Sequence, residues 1–457
     1  MTTLGDLSRY IIDDPARGAF RVHRDIFHAP EIFELEMAAI FERTWIFLAM
    51  ESQLPRPFDF ITTTIGRQPI ILIRNRAGAL GAFFNSCRHK GARLAYTESG
   101  NAERLICPYH AWTYDADGAN CAIKDARHGH CGPAFDAEDH DLVRVPRVAS
   151  YRGMVFGCLD PDVPALEDWL GDMRVLIDLV MDQGERGMEL VPGRTVYSYA
   201  ANWKLQAENG MDPYHLTSTH PSFIELISRR QAERRDLNAI RSRDFNRSLT
   251  VDGGCFTFPY GHGCVWTVNP APEQKPLFEA REALRARVGD FRAEWMLNLR
   301  NLTIWPSVQL ADSESLLLRV IRPIAVDRTE MRLYCMGPVG EAPAARARRI
   351  RQHEDFFNVS GLATPDDTTV YEACQFGFGA RAIDYHQGYA RGTALIERGP
   401  NALARQLGID PLESVSGPFQ VQQEIQYLPN YREWRRLIEA ALARGPADAA
   451  PRARAAE

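Results

Sequence analysis

Hydrophobic residues follow two different periods along this chain. In 31–44 and 165–182 the apolar positions recur at helical spacing, which predicts an amphipathic helix in each segment. From 58 to about 159 the pattern changes to short runs rich in β-branched and aromatic residues, separated by Gly, Pro, Asn and Asp. This texture predicts a compact β domain in the first half of the chain.

The second half mixes both periods. Strands are predicted at 194–199, 256–268, 301–309, 316–324 and 330–336, and helices at 278–299 and 344–358. Residues 1–30 are predicted to be an irregular arm, 229–247 a charged surface helix and loop, and 444–457 a mobile tail. The fold class is therefore α+β: a small β domain, then a larger domain with an antiparallel sheet flanked by helices.

Composition narrows the function classes. A chain of 457 residues suits two or three domains, and its net charge of −6 gives no case for nucleic-acid binding. No apolar run reaches membrane-spanning length, and the first residues lack the features of a secretory signal. Nine cysteines are an odd number, so we expect reduced thiols in the cytoplasm, a minority of them held by metal.

Two short motifs in the β domain pair cysteine with histidine. The residues are Cys87 and His89, then, after seventeen residues, Cys107 and His110. Tetrahedral zinc accepts such a set, but zinc fingers usually pair Cys with Cys and His with His. In a Rieske [2Fe–2S] centre two histidines replace two cysteines on one iron. That arrangement places Cys87 and Cys107 on one iron, with His89 and His110 on the other.

A second group of metal-binding residue types lies in 207–220. His215 and His220 are five residues apart, with Asp212 just before them. On an ideal helix these histidines point about 140° apart, so both face one metal only if the helix loosens or ends between them. Two histidines and one carboxylate are typical of mononuclear iron(II) oxygenases. The alternative is two ordinary histidines at a helix end.

A second source of carboxylates follows at 364–370. Thr364 suits the N-cap position of a helix and Pro365 its first turn, which places Asp366 and Asp367 at the positive end of the helix dipole. An ionised carboxylate there serves either as an iron ligand or only to cap the helix. The local sequence leaves both possibilities open.

Together these motifs resemble a known family. Cys87-x-His89 with Cys107-x-x-His110 is similar to the Rieske signature of aromatic-ring-hydroxylating oxygenase α subunits, and Asp212-x-x-His215-x-x-x-x-His220 to their mononuclear-iron motif. Lys90 stands where the family often has Arg, and Ala111 where it often has Gly. The resemblance implies an N-terminal arm and helix at 1–40 that pack on the catalytic domain. It also implies a Rieske domain at 41–160, followed by the catalytic domain at 161–445 and a tail at 446–457.

The resemblance also implies how the site residues work. The iron would be bound by His215, His220 and Asp367, the second residue of the acidic pair, in preference to Asp366. Asp212 would not bind iron but would bridge the two centres. It would meet His110 of a neighbouring subunit and contact His215 of its own chain.

Partners and substrate are implied in the same way. Electrons would come from NADH through a separate reductase, with or without a ferredoxin, and a small β subunit would complete an α₃β₃ assembly. Strings such as 202–205 and 363–367 are similar to the benzoate and anthranilate dioxygenase branch, which implies cis-dihydroxylation of an aromatic carboxylate with O₂. Arg319 and Arg322 are candidates to meet that carboxylate, although we expect structural ion pairs for each.

Three other functions stay open on sequence alone. One is a Rieske monooxygenase, a hydroxylase or O-demethylase acting on an aromatic acid such as salicylate. The others are a simple Rieske electron carrier and a zinc-binding structural protein. His128, His130 and Cys131, with Cys121 nearby, fit no metal motif and are expected to form a solvated loop.

Overall fold

The computed structural model describes residues 7–233, 251–418 and 422–444. Among these, 37–166 form one compact unit, and 7–36 together with 167–443 form another. Most of the segment predicted at 229–247, and the predicted tail at 446–457, lie outside the described residues. Within the described part of the chain, no helix combines the length and apolar character that a membrane span requires.

The smaller unit consists of antiparallel β-sheets, as the alternating apolar runs predict. Its four-stranded sheet has the order Leu80–Phe84, Gln68–Arg74, Asp59–Ile65 and Ser99–Asn101. Two three-stranded sheets are formed by Asn120–Ala122, Thr113–Asp115 and Arg104–Ile106, and by Arg147–Tyr151, Met154–Cys158 and Ile46–Met50. A π-helical turn at Met37–Phe41 and a short helix at Pro133–Ala137 accompany them.

The larger unit is built on an antiparallel sheet that, within the described residues, has ten strands. From one edge the order is Met188–Leu190, Arg328–Pro338, Leu316–Ala325, Val308–Asp312, Leu299–Ile304, Gly263–Thr267, Asp252–Thr257, Glu413–Pro418 and Glu397–Arg398, and Thr195–Tyr199 also pairs with Arg328–Pro338. The central strands are buried because helices cover the sheet. This confirms the predicted α+β class.

The helices of this unit are mostly short. Their bounds are Asp25–His28, Pro30–Glu36, Leu166–Leu170, Met173–Met181, Trp203–Asn209, Leu216–Thr219, Pro221–Glu233, Arg281–Val288, Asp290–Leu297, Pro343–Phe356, Thr364–Gly377, Ala402–Leu407 and Leu428–Arg444.

Two helices predicted as continuous are each broken at a glycine. The segment 165–182 divides at Gly171, whose φ is +50°, and the segment 278–299 divides at Gly289, whose φ is +81°. Glycine adopts these left-handed angles without a Cβ clash. The apolar period continues across each break, so periodicity alone did not reveal it.

Two long predicted strands are hairpins instead. The segment 256–268 turns at Pro259–Gly261, and 301–309 turns between Ile304 and Val308. The N-terminal arm is also more ordered than predicted. Its hairpin of Ile11–Asp14 and Ala19–His23 pairs with Tyr385–His386, a partner far away in sequence.

Candidate active site

The first site helix, Trp203–Asn209, is fixed at its start by a buried ion pair. Asn202 caps it by accepting a hydrogen bond from Lys204 N at 3.1 Å. Lys204 Nζ lies 2.5 Å from Glu36 Oε1, and Trp203 Nε1 donates to the same carboxylate at 2.9 Å. These contacts anchor the chain just before the two histidines.

The helix then ends, as the spacing of the histidines requires. His215 lies immediately before the four-residue helix Leu216–Thr219, and His220 lies immediately after it. Because neither residue belongs to a long regular helix, both rings can turn to the same side. Their ring centroids are 5.1 Å apart.

Asp367 completes the group from the first turn of helix Thr364–Gly377. Its Oδ1 lies 3.1 Å from His220 Nε2 and 3.4 Å from His215 Nε2. One ligand atom from each of the three residues lies within 4.8 Å of the other two. Two imidazole nitrogens and one carboxylate oxygen fit a mononuclear iron and leave other positions open.

The N-cap prediction at this helix was wrong by one residue. Ala363 occupies the cap position without a side-chain hydrogen bond, and Thr364 Oγ1 instead donates to Phe357 O at 2.9 Å. Thr364 therefore ties the helix start to the preceding helix, and the two aspartates still fall in the first turn.

The other ring nitrogen of each histidine faces a second carboxylate. Asp212 Oδ2 lies 3.2 Å from His215 Nδ1, a charge contact without hydrogen-bond alignment, and Asp366 Oδ2 lies 3.2 Å from His220 Nδ1. Such outer carboxylates orient a ligating imidazole and raise its basicity. Asp366 thus faces Nδ1 of His220, whereas Asp367 faces Nε2 of the same ring.

Asn209 is a site residue that sequence reasoning did not single out. Its Nδ2 donates to Asp367 Oδ1 at 3.1 Å and lies 3.3 Å from His215 Nε2. An amide is not a typical iron ligand, so residue type gave no signal. Its place at the end of the helix, six residues before His215, was the available clue.

The charged groups around His215 and Asp367 are those expected at a cation-binding site. Burial disfavours the imidazolium, yet the adjacent Asp212 and Asp367 carboxylates raise the pKa of His215 to about 10. Burial likewise disfavours the Asp367 carboxylate, but the two histidines hold its pKa well below the ordinary value. The carboxylates therefore draw positive charge into the cluster, which a divalent metal supplies in place of protons.

A cavity of about 180 Å³ opens beside these residues. Its lining includes the apolar side chains of Leu216, Val265, Ala311, Phe356 and Phe357. An engineered apolar cavity of about 150 Å³ is large enough to bind benzene. The site therefore presents a ring-sized, mainly apolar space next to a metal-binding cluster.

The smaller unit brings its four predicted ligands together at two turns. Cys87 and Cys107 are buried in one hydrophobic cluster, whereas His89 is exposed and His110 half-buried. The two imidazole centroids lie 4.5 Å apart, and His89 stacks on Trp112. The thiols lie inward and the imidazoles outward, as a Rieske cluster with its histidine-bearing iron outermost requires.

Each of these two turns is closed by a backbone hydrogen bond to the carbonyl of its cysteine. Gly91 N donates to Cys87 O and Ala111 N to Cys107 O, both at 2.9 Å. Within the described residues, the buried Nδ1 of His110 has no hydrogen-bond partner, so it fits a metal ligand. Ala111 has a φ of +57°, a left-handed angle that explains why glycine suits this position.

The further cysteine and histidine residues that the sequence grouped at 121–131 do not form a site. Cys121, His128, His130 and Cys131 are all exposed, and His130 has a φ of +49°. The prediction of a solvated loop is confirmed.

Comparisons with known proteins match both parts of the chain that contain these sites. Residues 44–145 match the Rieske [2Fe-2S] domain family, and residues 188–436 match the family described as ring hydroxylating alpha subunit (catalytic domain). The 2-halobenzoate 1,2-dioxygenase large subunit of Burkholderia cepacia is 42% identical over 89% of this chain and 88% of its own length. The toluate 1,2-dioxygenase subunit alpha of Pseudomonas putida is 40% identical over 94% of each chain.

Two further relatives extend the comparison. The anthranilate 1,2-dioxygenase large subunit of Acinetobacter baylyi is 40% identical over 93% of this chain and 90% of its own. The crystal structure of naphthalene 1,2-dioxygenase from Rhodococcus sp. bound to indole superposes with a TM-score of 0.78 at 25% identity, covering 93% of this chain and 95% of the other.

These matches assign a Rieske [2Fe–2S] cluster to the first domain and a mononuclear iron to the second, with electrons supplied by a reductase. The chain therefore belongs to the Rieske non-haem iron ring-hydroxylating dioxygenases, as a large, or alpha, subunit.

Proposed function

We propose that this chain cis-dihydroxylates a benzoate-type aromatic carboxylate, using O₂ and electrons that NADH supplies through a separate reductase. The observation that carries this proposal is the convergence of His215, His220 and Asp367 beside a ring-sized apolar cavity. The substrates in the names of the relatives, 2-halobenzoate, toluate and anthranilate, are all benzoic acids and support the choice of substrate class.

The ligand sets belong to this proposal. Cys87 and Cys107 hold one iron of the cluster, and His89 and His110 hold the other. The mononuclear iron is held by His215, His220 and Asp367. When bound, the cluster supplies single electrons and the mononuclear iron activates dioxygen beside the substrate.

The side chains around the second centre have separate tasks. Asp212 and Asp366 each hold one ligand histidine by its Nδ1, so that both Nε2 atoms face Asp367. Asn209 fixes the Asp367 carboxylate by donating to Oδ1. Leu216, Phe356 and Phe357 provide apolar cavity walls that hold the ring and exclude water.

The proposal also covers assembly. Three copies of this chain combine with a small β subunit as α₃β₃ and receive electrons from a reductase, with or without a ferredoxin. In this assembly Asp212 links His215 of its own chain to the partner subunit's His110. The relatives' names, which call them large subunits or subunit alpha, support a multicomponent system. All nine cysteines are free, which suits the reducing cytoplasm that we propose for it.

The proposed domain limits separate the Rieske part of the chain from the catalytic part. We place the Rieske domain at 41–160 and the catalytic domain at 161–445, with 1–40 packing on the latter. The matched ranges, 44–145 and 188–436, and the grouping of residues 7–36 with 167–443 support these limits.

Turnover of a panel of benzoates tests the proposal. The purified oxygenase, with its reductase and NADH, should convert benzoate, a halobenzoate or anthranilate to a cis-diol or the derived catechol, identified by mass spectrometry. A phenol with an aldehyde would instead indicate the monooxygenase alternative. An intact cluster signal with no oxygenated product from any member would indicate an electron carrier, and absence of an iron EPR signal would indicate zinc.

A further inference from the structure

Arg319 is a buried cation in the wall of the cavity that contains the iron ligands. It lies on strand Leu316–Ala325, with 5% of its surface exposed, and it lines the cavity with His215, His220 and Asp367. Placing an ionised side chain out of water is costly unless an opposite charge or several hydrogen bonds compensate it. The groups that contact the Arg319 guanidinium therefore indicate its function.

The neighbouring arginines each form an ion pair, with a carboxylate that also pairs with a second cation. Arg300, which also lines the cavity, lies 2.5 Å from Asp312. Arg322, three residues beyond Arg319 on the same strand, lies 2.5 Å from Glu330. The expected structural ion pair is therefore confirmed for Arg322. Both residues show that an arginine in this sheet is normally paired with a carboxylate.

Arg319 differs from both. Its hydrogen bond goes to a neutral group, from Nη1 to Gln309 Oε1 at 3.2 Å, and its guanidinium lies 5.7 Å from the Phe357 ring centroid. Within residues 7–233, 251–418 and 422–444, no carboxylate lies within ion-pair distance of it, and its buried Nε has no hydrogen-bond partner. The expectation of a structural ion pair was therefore wrong for this residue.

Gln309 fixes the direction of the guanidinium. It is the cross-strand neighbour of Arg319, and its Nε2 donates to Ala207 O at 2.9 Å and to Gln206 O at 3.3 Å. With its amide nitrogen used in this way, the amide oxygen is left to accept from Arg319. The same hydrogen bonds tie the arginine to the helix that leads to Asn209 and the iron ligands.

Arg319 and Asp367 act electrostatically on the same two tyrosines. Burial raises the pKa of Tyr197 to about 12, with Arg319 acting to lower that pKa and Asp367 to raise it. The pKa of Tyr371 is raised by burial and then by Asp367, and Arg319 again opposes the shift. Both phenols therefore lie within electrostatic range of the guanidinium and of the carboxylate ligand.

We infer that Arg319 receives the carboxylate of the aromatic substrate and so determines both its class and its orientation in the cavity. The guanidinium offers N–H groups in a planar fork that matches a carboxylate. A benzoate held there supplies the missing negative charge and leaves its ring among the apolar walls. Gln309 acts as a positioning residue. The inference rests on the proposed function and adds the residue that recognises the acid.

Binding measurements on the intact, metal-loaded oxygenase test this assignment. Benzoate and its neutral analogue benzamide are titrated by calorimetry into the wild type, Arg319→Gln, Arg319→Lys and Arg322→Gln. The last variant is the matched control, because it removes a charge from the same strand while Arg332 keeps Glu330 paired at 3.0 Å. Cluster absorption, iron content and melting temperature are compared first, so that a folding defect is recognised.

We expect Arg319→Gln to weaken benzoate binding about 10- to 100-fold, the range for loss of a charge-assisted contact. Benzamide binding should change little, so the variant loses the preference for the acid. Arg319→Lys should lie between, because it keeps the charge but loses the fork, and Arg322→Gln should match the wild type. Where Arg319→Gln does not fold, the Lys variant and the wild-type preference for benzoate over benzamide decide the test.

Three results would overturn the assignment. These are an unchanged benzoate affinity in Arg319→Gln, an equal loss of benzoate and benzamide, or a wild type that binds the two ligands alike. Failure of the proposed function gives a different result: the wild type forms no diol from any benzoate, whatever the binding of the variants.

Discussion

At the scale of single residues, Asp212 and Asp366 each lie beside a different histidine of the site. Each places a carboxylate oxygen 3.2 Å from the Nδ1 of a ligand histidine. Only Asp212 is proposed to reach the neighbouring subunit as well. The two residues therefore separate the effect of orienting a ligand from the effect of linking the two centres.

Asp212→Asn is expected to retain cluster and iron but to abolish turnover, because the amide cannot link the centres through its charge. Asp366→Asn, the matched change at the other histidine, should instead weaken iron binding about 10- to 100-fold while its iron-loaded fraction stays active. Iron analysis and product formation measure both effects. Normal product formation by Asp212→Asn with full iron would rule out its bridging role.

Glu208 makes stability depend on pH. Burial raises its pKa to about 7, although hydrogen bonds from Tyr431 and Tyr389 oppose that shift. The folded chain therefore binds a proton more tightly than the unfolded chain, whose glutamate has a pKa of about 4.3. The resulting stabilisation is complete below that value and is lost as the pH rises through about 7.

Glu208→Gln should accordingly have nearly the melting temperature of the wild type at acidic pH and a higher one at alkaline pH. Melting curves across this range measure the difference, and the exposed Glu225→Gln serves as control. An unchanged difference between variant and wild type at every pH would show that folding does not shift the pKa of Glu208.

The sequence singled out the candidate metal ligands because their chemistry is carried by residue type and short spacing. His215, His220 and Asp367 converge as the motifs predict. Asn209 was not singled out, and Arg319 was a candidate for which a structural ion pair was expected, since amides and arginines are common and only their surroundings distinguish them. Whether Arg319 has an acidic partner depends on which residues face it across the sheet, and that information is absent from local sequence.

At the scale of elements, the close approach of the first site helix to the sheet requires a glycine. A Cβ at Gly210 would lie 2.0 Å from Gln309 Oε1, and Asn301 Nδ2 donates to Gly210 O at 3.0 Å. Gln309 is buried and cannot move without losing its own hydrogen bonds. The site helix and the arginine-bearing strand are therefore held together at this position.

Gly210→Ala is expected to destabilise the protein by about 1–3 kcal/mol, the usual range for overpacking. By displacing Gln309 it should also weaken benzoate binding. The control is Gly377→Ala, where the added carbon meets no atom within 4 Å. Melting temperature and benzoate affinity measure the two effects, and a variant equal to the wild type in both would contradict this packing argument.

Element types were predicted better than element limits. Apolar periodicity identified the helices near the site and the strands of the sheet, including Leu316–Ala325. It did not identify the breaks at Gly171 and Gly289 or the pairing of the N-terminal hairpin with Tyr385–His386. Turns depend on single backbone angles and long-range pairing on the whole fold, and neither changes the hydrophobic period.

At the scale of the whole molecule, the proposal requires electrons to pass between subunits. Cys107→Ser should remove the cluster, and Asp367→Ala the mononuclear iron, so each variant alone is inactive. Co-expressed with different tags and purified through both, the two should regain activity, because an intact cluster then meets an intact iron site on the adjacent chain. A doubly tagged Asp367→Ala assembly is the control, and mixed assemblies that stay inactive would contradict the subunit arrangement.

The measurement that most directly tests the account is the fate of labelled dioxygen. The complete oxygenase, reduced through its reductase and given benzoate with ¹⁸O₂, should form a cis-diol in which both new oxygen atoms carry the label. A product with a single labelled oxygen, or no oxygenated product from protein with full iron and cluster, would contradict dioxygenation of an aromatic carboxylate.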